Sequence, residues 1–511
     1  VIGRAQSFSV LGIDAYRVVV EVDVGKGQPA VNIVGMAEGA VKESRERVRS
    51  AMSNSGYWFP ATRVTVNLAP ADVKKEGVGL DLPIALALLV STGELSSERL
   101  ERYGVAGELG LDGSVRAIRG ALSLAFAARE GGLEGLILPR ENAEEAAIVE
   151  GIKVFPVDSL RQARDFFAGE GEFAPCTVDI NRAFEENSRS PVDLSEVKGQ
   201  STAKRAMEIA AAGGHNILMI GPPGSGKTML AKRLPTILPP LNFEEAIETT
   251  KIHSVAGLTA GQHALVATRP FRAPHHTVSP IALAGGGAVP RPGEISLAHH
   301  GVLFLDEMPE FPRQALEVLR QPLEDGVVSI SRAAASLRFP AQFLLVGAMN
   351  PCPCGYMGDT RKNCTCSPTM IQKYLSRISG PLLDRIDIHI DVPAIRVSEL
   401  TRTQEGESSA TVRERVIATR EMQRQRFHGL ANVHCNAHMG SRQIKKYCAM
   451  SSEAMQSLEN AIEQLGFSAR AYDRILKVSR TIADLAGSEI IEMDHVSEAI
   501  QYRTLDRKLW V

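Results

Sequence analysis

The chain has 511 residues, 44% of them hydrophobic and 23% charged, which is too long for one core and fits about three domains of roughly 150 residues. A net charge of -2 excludes a broadly basic nucleic-acid-binding domain and leaves only a local pore or groove, and 5% aromatics argue against gripping single strands through stacking platforms alone. No stretch approaches the roughly 18 consecutive apolar residues of a membrane span, Leu82 to Val90 being short and interrupted by Pro83, and the first residues show no signal-peptide pattern, so a cytoplasmic protein is expected.

Residues 1–175 read as mixed α/β. Arg17 to Val24 (RVVVEVDV) and Arg63 to Leu68 (RVTVNL) are strand-like. Glu38 to Ser53 is charged and helical, and Asp81 to Leu89 is a buried apolar run, helix or strand. A turn at Leu111-Asp112-Gly113, a helix from Ala121 to Glu130 and a strand from Gly135 to Leu138 follow. The segments NLAPADVKKEGVGLDLPIALALL (67–89) and GELGLDGSVRAIRG (107–120) resemble the proteolytic domain of Lon-type proteases. That chemistry needs a serine activated by an adjacent lysine. Residue by residue, the resemblance puts Gly79 at the serine position and Leu122 at the lysine position, which implies a catalytically dead α+β module serving as a docking, DNA-binding or assembly platform.

Residues 176–192 are polar and aperiodic and read as a linker. Ser201 to Ala212 then makes an alanine-rich helix with Ser201 as its expected N-cap. The apolar strand 216–220 runs into Gly221-Pro222-Pro223-Gly224-Ser225-Gly226-Lys227-Thr228, a full match to the P-loop pattern G-x-x-x-x-G-K-S/T, followed by a helix. Strand, glycine turn and helix form the context in which loop amides and a helix N-terminus cradle phosphates. Lys227 would reach the β- and γ-phosphates, and the Thr228 hydroxyl would ligate Mg²⁺. Downstream, Val302-Leu303-Phe304-Leu305 ends in Asp306-Glu307. This resembles a Walker B strand, with Asp306 on Mg²⁺ and Glu307 activating the attacking water. The strand 343–349 ends at Asn350, which resembles the sensor 1 position of AAA+ ATPases. In the same family a segment like Val197-Lys198-Gly199-Gln200 contacts the adenine.

Pro381-Leu382-Leu383-Asp384-Arg385-Ile386-Asp387 resembles the LLDRxD signature of the Mg-chelatase and MCM branch of AAA+ proteins. The resemblance implies that Arg385 reaches the nucleotide of a neighbouring subunit, so hydrolysis would depend on a closed ring. From Ser398 the chain turns helical, with helices expected over 411–427, 452–465, 468–486 and 494–502. Tyr472, Ile475, Leu476, Ile482 and Ala483 form one apolar stripe. Arg470 matches the sensor 2 arginine of the branch, which contacts the γ-phosphate from a helical lid.

Three features bear on the substrate. Residues 324–340 read as a hairpin between Walker B and sensor 1, and in the relatives a hairpin there enters the ring's pore; Arg332 matches a basic pore residue, read either as a DNA-phosphate contact or as solvated surface. Arg269 to Glu294 resembles a second pore-facing insertion; His275 and His276 within it read as structural rather than ligating. Of seven cysteines, Cys352, Cys354, Cys364 and Cys366 crowd one segment. They read either as a Zn²⁺ set, whose one-residue spacing departs from the usual two to four, or as a reduced thiol cluster.

Together RPFRAPHHTVSP, GVLFLDEMPEF and MNPCPCGY resemble the ComM/YifB family of Mg-chelatase-like AAA+ proteins nearly end to end. The resemblance implies an α/β multidomain chain: a Lon-protease-like N-terminal domain (1–175), the linker (176–192), an AAA+ P-loop core (193–395) and an α-helical lid (396–511). It also implies a hexameric ATPase using ATP and Mg²⁺. This would be a helicase that binds single-stranded and branched DNA, drives branch migration during natural transformation and works beside recombination proteins. The alternative is a chelatase-type or protein-remodelling motor acting on a partner protein.

Overall fold

The computed structural model describes residues 2–36, 39–75, 77, 79–180, 182, 184, 191–259, 264–287, 290–331, 336–359, 362–394, 406–430 and 433–505. Among them no helix is long and apolar enough to cross a membrane.

The first block holds strands β1 (Gly3–Leu11), β2 (Asp14–Gly25), β3 (Ala30–Val34), β4 (Arg63–Ala69), β5 (Tyr103–Val105), β6 (Gly135–Pro139) and β7 (Lys153–Val157). They form one seven-stranded sheet in the order β3-β4-β2-β1-β5-β6-β7. Val18, Val20 and Val22 alternate into the core as the β2 pattern predicts. β1 is not legible in the sequence, because Gln6, Ser7 and Ser9 are buried along it and blur the apolar period. Helices α1 (Gly39–Asn54), α2 (Asp81–Ser91), α3 (Ala121–Glu130), α4 (Arg140–Ala147) and α5 (Leu160–Ala168) accompany the sheet. The run at Asp81 is a helix, buried from Asp81 to Val90. Pro83 lies in its first turn, where a missing N–H costs no helical bond. Arg47 Nε donates to the buried Asp81 carboxylate at 2.6 Å. The expected linker is packed where it is described: the Cys176 N–H donates to Val154 O at 2.7 Å, and Ile180 and Phe184 lie against the core around Leu122 and Leu136.

The second block has helices α6 (Ser201–Gly213), α7 (Lys227–Ile237) and α8 (Phe243–Ala256) and strands β8 (Ile217–Ile220), β9 (Phe271–Arg272), β10 (Val302–Leu305), β11 (Val327–Ser331), β12 (Ser336–Pro340), β13 (Leu344–Met349) and β14 (Ile388–Asp391). Five of these make a parallel sheet in the order β9-β10-β13-β8-β14. β8, β10 and β13 are buried throughout, which is why they read as unbroken apolar runs. The N-cap of α6 is Gln200 rather than Ser201, in a left-handed conformation at φ 55°.

The third block is helical: α9 (Ser409–Arg426), α10 (Ser452–Leu465), α11 (Ala469–Leu485) and α12 (Met493–Gln501). Its apolar stripe joins the core of the second block, where Ile217, Met219 and Val346 share one cluster with Leu458, Ile475 and Val496. The first and second blocks meet at Glu145 of α4. This buried carboxylate accepts from Ser254 Oγ, from Thr259 Oγ1 at 2.7 Å and from the Leu122 N–H at 2.9 Å. Burial pushes the Glu145 carboxyl above the ordinary glutamate range, against the opposing hydrogen bonds from Ser254 and Thr259.

Candidate active site

The parallel register fixes the site. Ile220 pairs with Met349 on one side and with Asp391 on the other, so β8, β13 and β14 end level, and Leu305 pairs with Gly347 to bring Asp306 to the same edge. The P-loop leaves β8 in a space only glycine fits: a Cβ on Gly221 would stand 2.1 Å from Val392 O. Gly226, at φ 93°, turns the loop into α7. Lys227 begins that helix, and its ammonium donates to Gly221 O at 2.7 Å and Pro222 O at 2.9 Å, with Asn350 Oδ1 at 3.4 Å. Burial holds Lys227 below the ordinary lysine range, against the pull of Asp306 and Glu307. Thr228 Oγ1 donates to Asp306 Oδ2 at 2.7 Å. A hydroxyl and a carboxylate converging beside an ammonium form a hard oxygen set suited to Mg²⁺ with nucleotide phosphates.

Gln200 ties the segment upstream to this loop. Its side-chain N–H donates to Ser225 O at 3.2 Å and Pro393 O at 2.7 Å. Val197 is buried, and its carbonyl accepts from Lys204. Both residues belong to the segment expected at the adenine, and the tie from Gln200 to Ser225, 25 residues away, is what the sequence does not announce.

Glu307 follows Asp306 with φ 50°, and its N–H donates to Asp306 Oδ1 at 2.9 Å. Its carboxylate faces His276, with Nδ1 3.6 Å from Oε2. No motif pointed to that partner.

Arg385 is buried in the single chain. Within the chain it pairs with Glu324, and its Nη1 donates to Pro381 O at 2.6 Å. The Asn216 side chain at the root of β8 donates to its carbonyl at 3.0 Å. Two aspartates bracket it, each facing an arginine of α11. Asp384 lies 3.5 Å from Arg470, and Asp387 accepts from Arg474 at 2.6 Å. Asp387 also faces His215 Nδ1 at 3.1 Å, and His215 Nε2 meets Thr481 of the same helix at 2.8 Å. Arg470 is mostly exposed.

A second convergence lies at the root of β10. His299 Nε2 and His300 Nε2 stand 3.2 and 2.9 Å from Glu248 Oε2 of α8. His299 Nδ1 accepts the Gln342 N–H at 3.0 Å, so the ring proton sits on Nε2. Burial holds His299 down to about 4, so it is neutral at neutral pH. A metal at Nε2 would need that proton removed, so this triad is a hydrogen-bonded brace.

β11 and β12 pair as an antiparallel hairpin from Val327↔Pro340 to Ser331↔Ser336. Arg332, the expected phosphate contact, lies outside the described residues. Cys352, Cys354, Cys364 and Cys366 do converge, with sulfur separations of 3.3, 3.7 and 3.6 Å among the first three and all four sulfurs within 4.8 Å. Thiolates about 2.3 Å from one Zn²⁺ in a tetrahedron stand about 3.8 Å apart, so the donor set fits the ion. This cluster packs on the P-loop: a Cβ on Gly355 would stand 2.6 Å from Pro223.

Three family models match the chain: magnesium chelatase, subunit ChlI, over residues 193–400; subunit ChlI of Mg-chelatase over 20–142; and its C-terminal region over 406–503. YifB of Escherichia coli is 45% identical over 504 residues, 98% of this chain and 97% of that protein. The competence protein ComM of Haemophilus influenzae is 45% identical over 502 residues, with 98% and 97% covered. The magnesium-chelatase 38 kDa subunit of Rhodobacter capsulatus is 26% identical over 228 residues, 41% of this chain and 61% of that protein. Such a family implies an ATPase that uses ATP and Mg²⁺. With end-to-end relatives on one side and the converging P-loop and Walker B residues on the other, this chain belongs to the ComM/YifB family of Mg-chelatase-like AAA+ proteins.

Proposed function

We propose that this chain is a ring-forming, cytoplasmic ATPase that moves on single-stranded and branched DNA as a helicase. It would promote branch migration during natural transformation beside recombination proteins. The observation that carries the motor reading is the meeting of Lys227, Thr228, Asp306 and Asn350 at one sheet edge, with the β11–β12 hairpin emerging between the strands that supply Asp306 and Asn350. The DNA reading draws on the full-length likeness to a protein named for competence, whereas the pairwise match to the Rhodobacter capsulatus chelatase subunit covers 41% of this chain.

In this reading ATP lies on the P-loop, and Asp306 and Thr228 hold Mg²⁺, which neutralises charge developing on the phosphates. Glu307 takes a proton from the attacking water while Asn350 positions it. Arg470 of the lid and Arg385 of a neighbouring subunit in a hexamer complete the site, and the hairpin carrying Arg332 engages DNA phosphates without reading sequence. The four cysteines hold a structural Zn²⁺. The first block serves as a Lon-like platform without protease chemistry, since Gly79 and Leu122 offer neither hydroxyl nor amine. A chelatase-type motor acting on a partner protein is the second reading, favoured by the family models. ATPase and strand-displacement assays with and without branched DNA separate the two. Lys227→Ala should lose nucleotide binding and Glu307→Gln should bind without hydrolysing; wild-type displacement by either would sink the motor.

A further inference from the structure

Strand β3 stands at the edge of the first sheet. Among the described residues it pairs on one side only, in parallel with β4, from Ala30↔Arg63 to Val34↔Asn67. Its five residues, Ala30-Val31-Asn32-Ile33-Val34, include no charge and no proline, the devices that usually blunt an edge against further pairing. Ala30, Asn32 and Val34 are exposed, Val31 and Ile33 half-buried, and Met36 just beyond is 48% exposed. The N–H and C=O groups of such a strand that face away from its neighbour are left to water. A groove of about 550 Å³ wraps this edge, lined by Val31 to Val34, by Arg45 of α1 and by Arg63 and Thr65 of β4. Val31 and Ile33 also border an apolar space under α1, with Val48 and Phe59. Arg45 rims the groove from the helix side. Arg63, alternating with buried Val64, rims it from the open face of the sheet. Arg45 meets only Glu46, its neighbour in sequence, in an exposed pair at 2.9 Å. Arg63 is exposed and has no ion pair among the described residues.

We propose that the β3 edge is a docking site for an extended acidic peptide of a partner protein, which adds a strand to the first sheet. Its main chain pairs with the outward N–H and C=O groups, alternate aliphatic side chains meet the apolar side at Val31 and Ile33, and its carboxylates meet Arg45 and Arg63. A polynucleotide fits less well, because a strand edge offers acceptors as often as donors and phosphates call for donors alone. A second copy fits less well too, since pairing β3 with β3 would bring four arginines into one seam. This docking rests on the platform reading of the first block, not on the DNA-motor reading.

The test titrates the full chain into a labelled hexapeptide of alternating glutamate and valine and reads fluorescence anisotropy. Binding should weaken as salt rises. Arg45→Glu combined with Arg63→Glu should lower the affinity about tenfold, and so should glutamine in place of the peptide's glutamates. Basal ATPase of the double variant should match wild type, which reports an intact chain. N-methylation of the valine amides removes every second donor of the peptide, and N-methylation of the glutamate amides removes the other set. Only one set faces β3, so one methylated peptide should bind at least about tenfold more weakly and the other as well as the parent. Hydrogen exchange should show the bound peptide protecting the amides of 30–34. No binding, equal effects of the two methylations, or equal binding of the glutamate and glutamine peptides overturns the proposal. Protection elsewhere in the first block overturns this edge and leaves the platform, whereas protection confined to the second or third block overturns both. A double variant that loses single-stranded DNA but keeps the peptide makes the edge a nucleic-acid surface, and one that changes oligomeric state but keeps the peptide makes it a contact between copies; either result overturns the proposal.

Discussion

Replacing Asp387 by alanine should loosen helix α11 far more than replacing Asp384, although the two aspartates hold arginines one turn apart on that helix. Asp387 is 1% exposed, accepts from Arg474 at 2.6 Å and faces the fully buried His215. Its removal leaves the Arg474 guanidinium without its counter-charge and His215 Nδ1 without its hydrogen-bond partner, a loss worth about 3–5 kcal/mol for a buried pair. Asp384 and Arg470 are 33% and 70% exposed at 3.5 Å, and such a pair contributes about 0–1 kcal/mol. Hydrogen exchange of the amides of 469–485 reads both. At about 1.4 kcal/mol per decade, protection should fall by roughly two to four decades in Asp387→Ala and by less than one in Asp384→Ala. Equal losses in the two, or less than a tenfold loss in Asp387→Ala, would mean the apolar stripe alone holds the helix and refute the reasoning. Acid offers an independent check. Burial pushes Asp387 up, but Arg474, then His215 and Lys477, hold it well below the usual carboxylate range. With the folded value depressed, its stabilisation is present above the unfolded value of about 3.9 and is lost as pH falls below it. The gap between wild type and Asp387→Asn should close in that window.

If Arg385 acts across a subunit boundary, Arg385→Ala should retain ATP binding and lose roughly 10³ in turnover. Mixing it with Lys227→Ala, also inactive alone, should recover activity in mixed rings, and no recovery would place Arg385 in a purely structural pair with Glu324. Metal analysis of protein prepared without chelator should give about one Zn²⁺ per chain, lost in Cys352→Ser; absence of stoichiometric zinc removes the idea. Glu145→Ala leaves three donors from Ser254, Thr259 and Leu122 without an acceptor and should cost about 3 kcal/mol or more by denaturant titration, whereas Glu145→Gln keeps one acceptor oxygen and should cost less. Because the folded Glu145 value is raised, its contribution should decline as pH rises above about 4.3, a slope that Glu145→Gln should lack.

The residues legible from sequence are those whose chemistry is contiguous. The P-loop, Asp306-Glu307 and Asn350 each sit at the end of a buried strand, and an apolar run followed by a polar residue marks that place without any knowledge of the sheet order. What stayed hidden was pairing between distant residues. Nothing in the loop around His276 announces Glu307, 31 positions on, and Asp387 and Arg474 stand 87 apart. β1 was hidden for a different reason. A strand inside a sheet covered on both faces need not alternate, and this one buries serine and glutamine. The cysteine pairs were legible as a cluster, but their spacing argued against the convergence the structure brings about.

Helix α8 is gripped along its length. Its capping box fixes the start at Asn242, Glu248 braces the histidines at the root of β10, and Ser254 at its far end is bound to Glu145 of the first block. Fourteen residues of helix make a beam about 21 Å long. The helix therefore joins the N-terminal block physically to the base of the strand that ends at Asp306 and Glu307.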